Sequence, residues 1–223
     1  MLALMALVPM YVFIAGYNRD RPQSFPELPF DRALPLQPAW AIVYGALYLF
    51  LILLPVLVIR QESHVRRTFL AYLVVWLTAY VVFLAYPTTA PRPDMVNGDG
   101  FTTWSLRVLY SMDPPRNCFP SIHVAHSFVS ALACYRLHRG LGVVAAVCAA
   151  LVGVSTLLTK QHYVIDVVAG AVLAYLAYSL FLRQVSRESI PEHDRRVAPV
   201  VAAGTLGAAN LGILGFWLFY RLV

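Results

Sequence analysis

His162 and Asp166 stand four residues apart at the head of an apolar run. On a helix that spacing stacks them on one face, a single turn apart. A carboxylate on one ring nitrogen fixes the tautomer, raises the basicity of the other nitrogen and stabilises the imidazolium, which is what a nucleophilic or basic histidine requires. Polar pairs at a membrane edge also serve as packing links, so the pair gains meaning only with a partner. Pro120-Ser121-Ile122-His123 supplies it. A proline and a serine open the next run and put His123 in the first helical turn, where free backbone N–H groups favour an anion. Such a start can hold a phosphate and give a proton to its leaving oxygen. Arg92, between Pro91 and Pro93, is a third candidate. Flanking prolines restrict the backbone and present the guanidinium with less entropy to lose on gripping phosphate oxygens. His126 is read as a packing residue.

The elements that carry these groups must live in lipid. The 223 residues are 60% hydrophobic and 13% charged, against about 25% charged in a soluble domain. A helix needs about 20 apolar residues to cross the hydrocarbon core, and seven runs approach that length: 1–17, 40–59, 69–86, 121–137, 141–159, 163–182 and 198–220. The first is read as a membrane helix rather than a removable leader, for it has no basic start or small-residue cleavage site. The net charge of +6 falls in short stretches between runs, with no face broad enough to track a nucleic acid. Arg60, Arg66 and Arg67, then Arg136 and Arg139, then Arg183, Arg187, Arg195 and Arg196 occupy loops two crossings apart. Short cytoplasmic loops are enriched in such residues, so these mark the cytoplasm. Loops 18–39 and 87–120 and the turn around Lys160 then face the periplasm, exterior or lumen, and the candidate chemistry lies there. Within the longest loop, Phe101, Trp104, Val108 and Met112 recur at helical spacing, as an amphipathic helix in the headgroup layer would place them.

Arg92-Pro93, Pro120-Ser121-Ile122-His123 and the span 155–166, ending His162-Tyr163-Val164-Ile165-Asp166, together resemble the three signature motifs of the type 2 phosphatidic acid phosphatase superfamily. Order, spacing and membrane placement are similar too, over about residues 69–182. The resemblance implies an all-α integral membrane protein with a six-helix core, here with one extra C-terminal transmembrane helix. It also implies catalysis without metal or cofactor through a phosphohistidine. Carried over by position, His162 is the nucleophile, Asp166 its orienting carboxylate, His123 the general acid and Arg92 a phosphate clamp. Ser121 and its neighbouring backbone complete an oxyanion site, and Tyr163 joins the substrate-binding set. Two family cations are missing: the lysine seven residues before the arginine is Ala85, and the arginine after Ser155 is Thr156. Lys160, Arg116 or Arg107 could supply charge instead, with Lys160 favoured because it is two residues from His162. The wording Tyr-Pro-Thr-Thr-Ala-Pro, Phe-Pro-Ser-Ile-His-Val-Ala and His-Tyr-x-x-Asp is similar to the branch containing inositol phosphorylceramide synthases and sphingomyelin synthases.

The expected organisation is one transmembrane domain over 1–223, with a catalytic core over about 40–182 and the extra helix over about 198–220. The expected function is transfer of a phospholipid headgroup to a lipid or alcohol acceptor. A diester carries one negative charge where a monoester can carry two, so fewer cations suit a diester donor. The same site would act as a lipid phosphate phosphatase with water as acceptor. A lipid transporter or scaffold, its polar residues lining a path, is the reading from another class; against it, the polar residues gather at one edge. A metal site is disfavoured because no further His, Cys or acid is spaced to complete a ligand set. Cys118, Cys134 and Cys148 show no disulfide pattern. Gly204, Ala208 and Gly212 form a small-residue stripe whose expected use is packing within the chain, while the choice between monomer and homodimer stays open.

Overall fold

In lipid a backbone must satisfy its own polar groups, which leaves the helix as the structure open to such runs. The computed structural model describes residues 6–222. Nine α-helices run through them: α1 Val8–Tyr17, α2 Pro29–Ala33, α3 Trp40–Val58, α4 Glu62–Ala85, α5 Phe101–Met112, α6 Ile122–Leu137, α7 Arg139–Leu158, α8 Val164–Leu180 and α9 Glu192–Leu222. Five are long and apolar enough to cross a membrane: α3, α4, α7, α9, and α8 with the turn that follows it. The chain is thus an all-helical, multi-pass membrane protein.

Seven crossings were expected, and the two short helices account for the difference. Helix α1 is 10 residues long, and residues 1–5 of its run lie outside the described residues. Helix α6 has 16 residues, because Pro120 halts it and Ser121 caps it, with Ser121 Oγ accepting from Val124 N at 3.3 Å. That helix holds the centre, packed against α3, α4, α7 and α8. Its interior serines are tolerated because each hydroxyl returns to its own helix: Ser127 to the His123 carbonyl at 2.8 Å and Ser130 to the His126 carbonyl at 3.1 Å. Helices α4 and α9 begin several residues before their apolar runs, since Glu62 in one and Glu192 with Asp194 in the other place acids in the first turn, where the helix dipole favours them.

Helices α3, α6 and α8 begin at one end of the bundle; α4, α7 and α9 begin at the other. Backbone links hold the first end together: Gln37 N donates to Leu158 O at 2.8 Å, Ser24 N to Pro87 O at 2.8 Å and Ala90 N to Pro115 O at 2.9 Å. At the opposite end, Arg67 donates to Gln184 Oε1 at 2.5 Å and to Phe181 O at 3.3 Å, and Arg136 Nε donates to Val185 O at 3.1 Å. The three arginine-bearing loops therefore share an end, away from His123 and His162.

The small-residue stripe does not pack as expected. A Cβ at Gly204 or Gly212 would meet nothing within 4 Å, and Ala208 is exposed. Helix α9 instead buries Ala198, Ala202, Thr205 and Ala209. This second face is just as slender, and it is the one that meets α3.

Candidate active site

The turn between α7 and α8 sets His162. Helix α7 ends in a Schellman arrangement: Gln161 N donates to Thr156 O at 2.9 Å and Lys160 N to Leu157 O at 3.1 Å. Lys160 takes the left-handed position at φ 54°, a place more often given to glycine. His162 N donates to the same Thr156 carbonyl at 3.3 Å. Thr156, where a cation was missing by comparison, is buried and spends its hydroxyl on Gly153 O at 2.8 Å.

From this turn α8 rises with Asp166 on the face of His162. Asp166 Oδ2 lies 3.3 Å from His162 Nδ1 and accepts from Tyr163 N at 2.9 Å. A carboxylate only accepts, so Nδ1 carries the proton and Nε2 presents a lone pair. Nε2 faces His123 Nδ1 at 3.2 Å. The three side chains form one chain, His123 to His162 to Asp166, with His162 only 5% exposed and Asp166 fully buried.

Close approach of α6 and α8 makes that chain possible. Ser121 N donates to Asp166 O at 3.1 Å, and a Cβ at Gly170 would stand 2.5 Å from the Ser121 carbonyl. Glycine at that position is thus a condition for the two histidines to meet. On its other side His123 is packed edge-on by Tyr44 and Tyr48, with ring centroids at 5.7 and 5.1 Å. His126 points elsewhere, accepting from Trp76 Nε1 at 2.7 Å against Tyr72, in keeping with a packing role.

Arg92 lies within electrostatic reach of His123 but is already engaged. Its guanidinium donates to Asp113 O at 2.7 Å and Tyr110 O at 3.4 Å, pairs with Asp113 Oδ2 at 3.4 Å, and stacks on the Tyr110 ring at 4.4 Å. Its Nε is buried without a hydrogen-bond partner among the described residues. Burial pushes the Tyr110 phenol up to about 12, against the opposing pull of Arg92, and the hydroxyl donates to Thr159 O at 2.6 Å. Arg92 is thereby tied through Tyr110 to the turn that carries His162.

The remaining candidates serve structure in ways the spacing did not show. Lys160 Nζ donates to the Asp31 carbonyl at 3.1 Å. Arg116 pairs through its backbone with Thr89, and among the described residues its side chain forms no hydrogen bond or ion pair. Arg107 is held by the Val96 and Gly98 carbonyls at 2.7–3.1 Å. Tyr163 is buried at the start of α8, its backbone N–H given to Asp166. Ser121 uses its oxygen lone pair as the cap of α6 while its hydroxyl proton stays available for donation.

Asp31 escaped the sequence reading. Its buried carboxylate accepts from Leu28 N at 2.7 Å and from Val164 N, the first N–H of α8, at 2.8 Å. Pro29-Phe30-Asp31 signals a local helix start, but nothing local points to a partner 133 residues away. Tyr44 and Tyr48 were missed for the same reason.

The sequence model of the PAP2 superfamily matches residues 26–180, a stretch that contains Asp31, Arg92, His123, His162 and Asp166. No curated protein and no solved structure matches the chain.

Proposed function

The chain belongs to the PAP2 superfamily, whose members act as phosphatases or phosphotransferases on lipid-like phosphates, and we propose that it moves the phospho-headgroup of a membrane phospholipid to an acceptor hydroxyl. The observation that carries this reading is the continuous chain His123–His162–Asp166 at one end of the bundle. His162 Nε2 attacks phosphorus, and the bond from phosphorus to the leaving oxygen breaks. His123 enters this step as the imidazolium; the Nδ1 proton it directs at Nε2 turns to that leaving oxygen, and His123 is left as the neutral imidazole that acts as base in the second half. Asp166 holds the Nδ1 proton while His162 gains positive character. In the second half, His123 takes the acceptor's proton, the acceptor oxygen attacks phosphorus, and His162 leaves unchanged.

Free N–H groups at the start of α6 and the Ser121 hydroxyl are the donors proposed for the phosphoryl oxygens. Arg92 adds its unpaired Nε–H and its charge. The scarcity of cations supports a diester donor of the inositol phosphorylceramide or sphingomyelin synthase kind: Ala85 and Thr156 are uncharged, Lys160 and Arg107 are engaged, Asp113 already pairs with Arg92, and Arg116 alone of the candidates keeps an unengaged side chain among the described residues. The gathering of arginine loops at the far end supports an active site on the extracytoplasmic face. No metal is needed in this sequence of steps.

The test is a phosphorus balance on purified protein given labelled phosphatidylinositol, phosphatidylcholine and phosphatidic acid with an alcohol or ceramide acceptor. A new phosphodiester without inorganic phosphate, formed equally in EDTA, is expected. Inorganic phosphate from phosphatidic acid, with no new diester, would assign the same histidines to hydrolysis. Lipid movement without any bond broken would overturn the enzyme altogether.

A further inference from the structure

Helix α9 lies beyond the stretch that matches the superfamily, yet it reaches the histidine end of the bundle. There it clasps α5: Trp104 packs on Phe216 with centroids 4.6 Å apart, and Phe101 packs on Tyr220 at 5.6 Å. Between α3, α5 and α9 lies a cavity of about 210 Å³, walled almost wholly by apolar atoms and including Tyr44, Gly45, Leu109, Met112, Ile213 and Phe216. Gly45 opens it, since a Cβ there would come only as near as 4.0 Å to the Cδ1 of Ile213. Tyr44 lines it, and the same ring packs edge-on with His123 at 5.7 Å between centroids. The cavity thus ends one aromatic ring from the proposed reacting centre.

We infer that this cavity seats an acyl chain of the phospholipid substrate, with α9 forming its outer wall. The assignment rests on the proposed function for what lies at His123, and on the apolar lining and shared Tyr44 wall for the chain itself. A tail gains little hydrophobic free energy by leaving one apolar medium for another. Its seat contributes by fixing where the headgroup sits relative to His162 and His123, a matter of orientation. The amphipathic α5, with Ser105 and Leu106 buried and Arg107 exposed, closes the seat toward the headgroup layer.

The experiment uses the full chain in phosphatidylcholine nanodiscs with trace phosphatidylinositol or phosphatidic acid bearing a diazirine midway along one acyl chain. After photolysis, labelled residues are mapped by peptide mass spectrometry. Labelling concentrated around Ile213 and Phe216 and on α5 is expected, falling severalfold in Gly45→Leu and on addition of the same lipid unlabelled. Ile213→Ala, which widens the seat, serves if Gly45→Leu does not fold. It should shift preference toward bulkier chains, read as the ratio of kcat/KM for branched against straight chains. Labelling spread over the outward faces of α7, α8 and α9, unmoved by Gly45→Leu and by competitor, overturns the seat. Labelling needs no turnover, so a protein that labels at α9 but breaks no phosphoester keeps the seat and loses the proposed reaction; turnover with uniform labelling does the opposite.

Discussion

Each end of the bundle buries a histidine, and the two are used differently. At the arginine end His64 is fully buried, with the Ala133 backbone and Arg136 as its polar neighbours. At the other end His162 has a carboxylate on one nitrogen and a histidine on the other. The surrounding charges differ in the same sense. Guanidinium groups serve carbonyls at the C-terminal ends, as Arg67 does for Phe181 and Arg136 for Val185. Carboxylates serve N–H groups at helix starts, as Asp31 does for Val164 and Asp166 for Tyr163. Helix dipoles favour cations at the first kind of terminus and anions at the second. A histidine becomes a candidate catalyst where the starts of α6 and α8 converge, because that is where an anion is favoured and an orienting acid is already fixed. Burial alone, as at His64, supplies neither.

The comparison breaks most sharply at the histidines. His162→Ala and His123→Ala should each reduce turnover by at least about 10³-fold, while detergent-extracted protein keeps its helical circular dichroism. Appreciable activity in either variant would remove the proposed mechanism. Asp166→Asn comes next, with kcat expected to fall by roughly 10³–10⁴-fold and KM changing far less, since an amide no longer fixes the tautomer. Steady-state kinetics that showed only a raised KM would make Asp166 a substrate contact instead.

Gly170→Ala tests the positioning of the pair without touching its chemistry. The added methyl must push the Ser121 carbonyl from 2.5 Å to an ordinary contact. A shift of that size is expected to lower kcat on the order of 10–100-fold. Gly153→Ala, whose methyl meets side chains rather than backbone, Val167 Cγ1 at 3.2 Å and Val124 Cγ2 at 3.9 Å, should cost much less. Equal losses in the two would mean that helix packing in general, and not the spacing of the histidines, limits the rate. The smallest effect is expected at the opposite end: His64→Leu should leave kcat/KM within about twofold. A large loss of activity there, in protein with unchanged thermal stability, would erase the distinction between the two ends.

Much of the candidate trio was legible because its logic is local. His162 and Asp166 share a helix face by spacing alone, and Ser121 announces a helix start beside His123. The apolar runs likewise fix most of the helices, since lipid leaves the backbone few alternatives. Arginine placement sorts the loops into two ends for an equally simple electrostatic reason.

Other features depended on contacts between distant segments. Sequence spacing offered Lys160 as a phosphate cation, but its ammonium meets Asp31 from a loop some 130 residues earlier. Arg92 was legible as a charge, whereas its clasp by Asp113 and Tyr110 required α5 to fold back over it. The stripe at Gly204, Ala208 and Gly212 has the composition of a packing face, but α9 has two slender faces, and only docking against α3 decided which was buried. Most of the helices, the two ends and the residues able to do chemistry could be read from the order of residues alone, because propensity, hydropathy and charge act over a turn or a span. Tertiary structure decided which charges are already spent, which face is covered and how near the two histidines come, because each of those is a distance between helices that no single helix encodes.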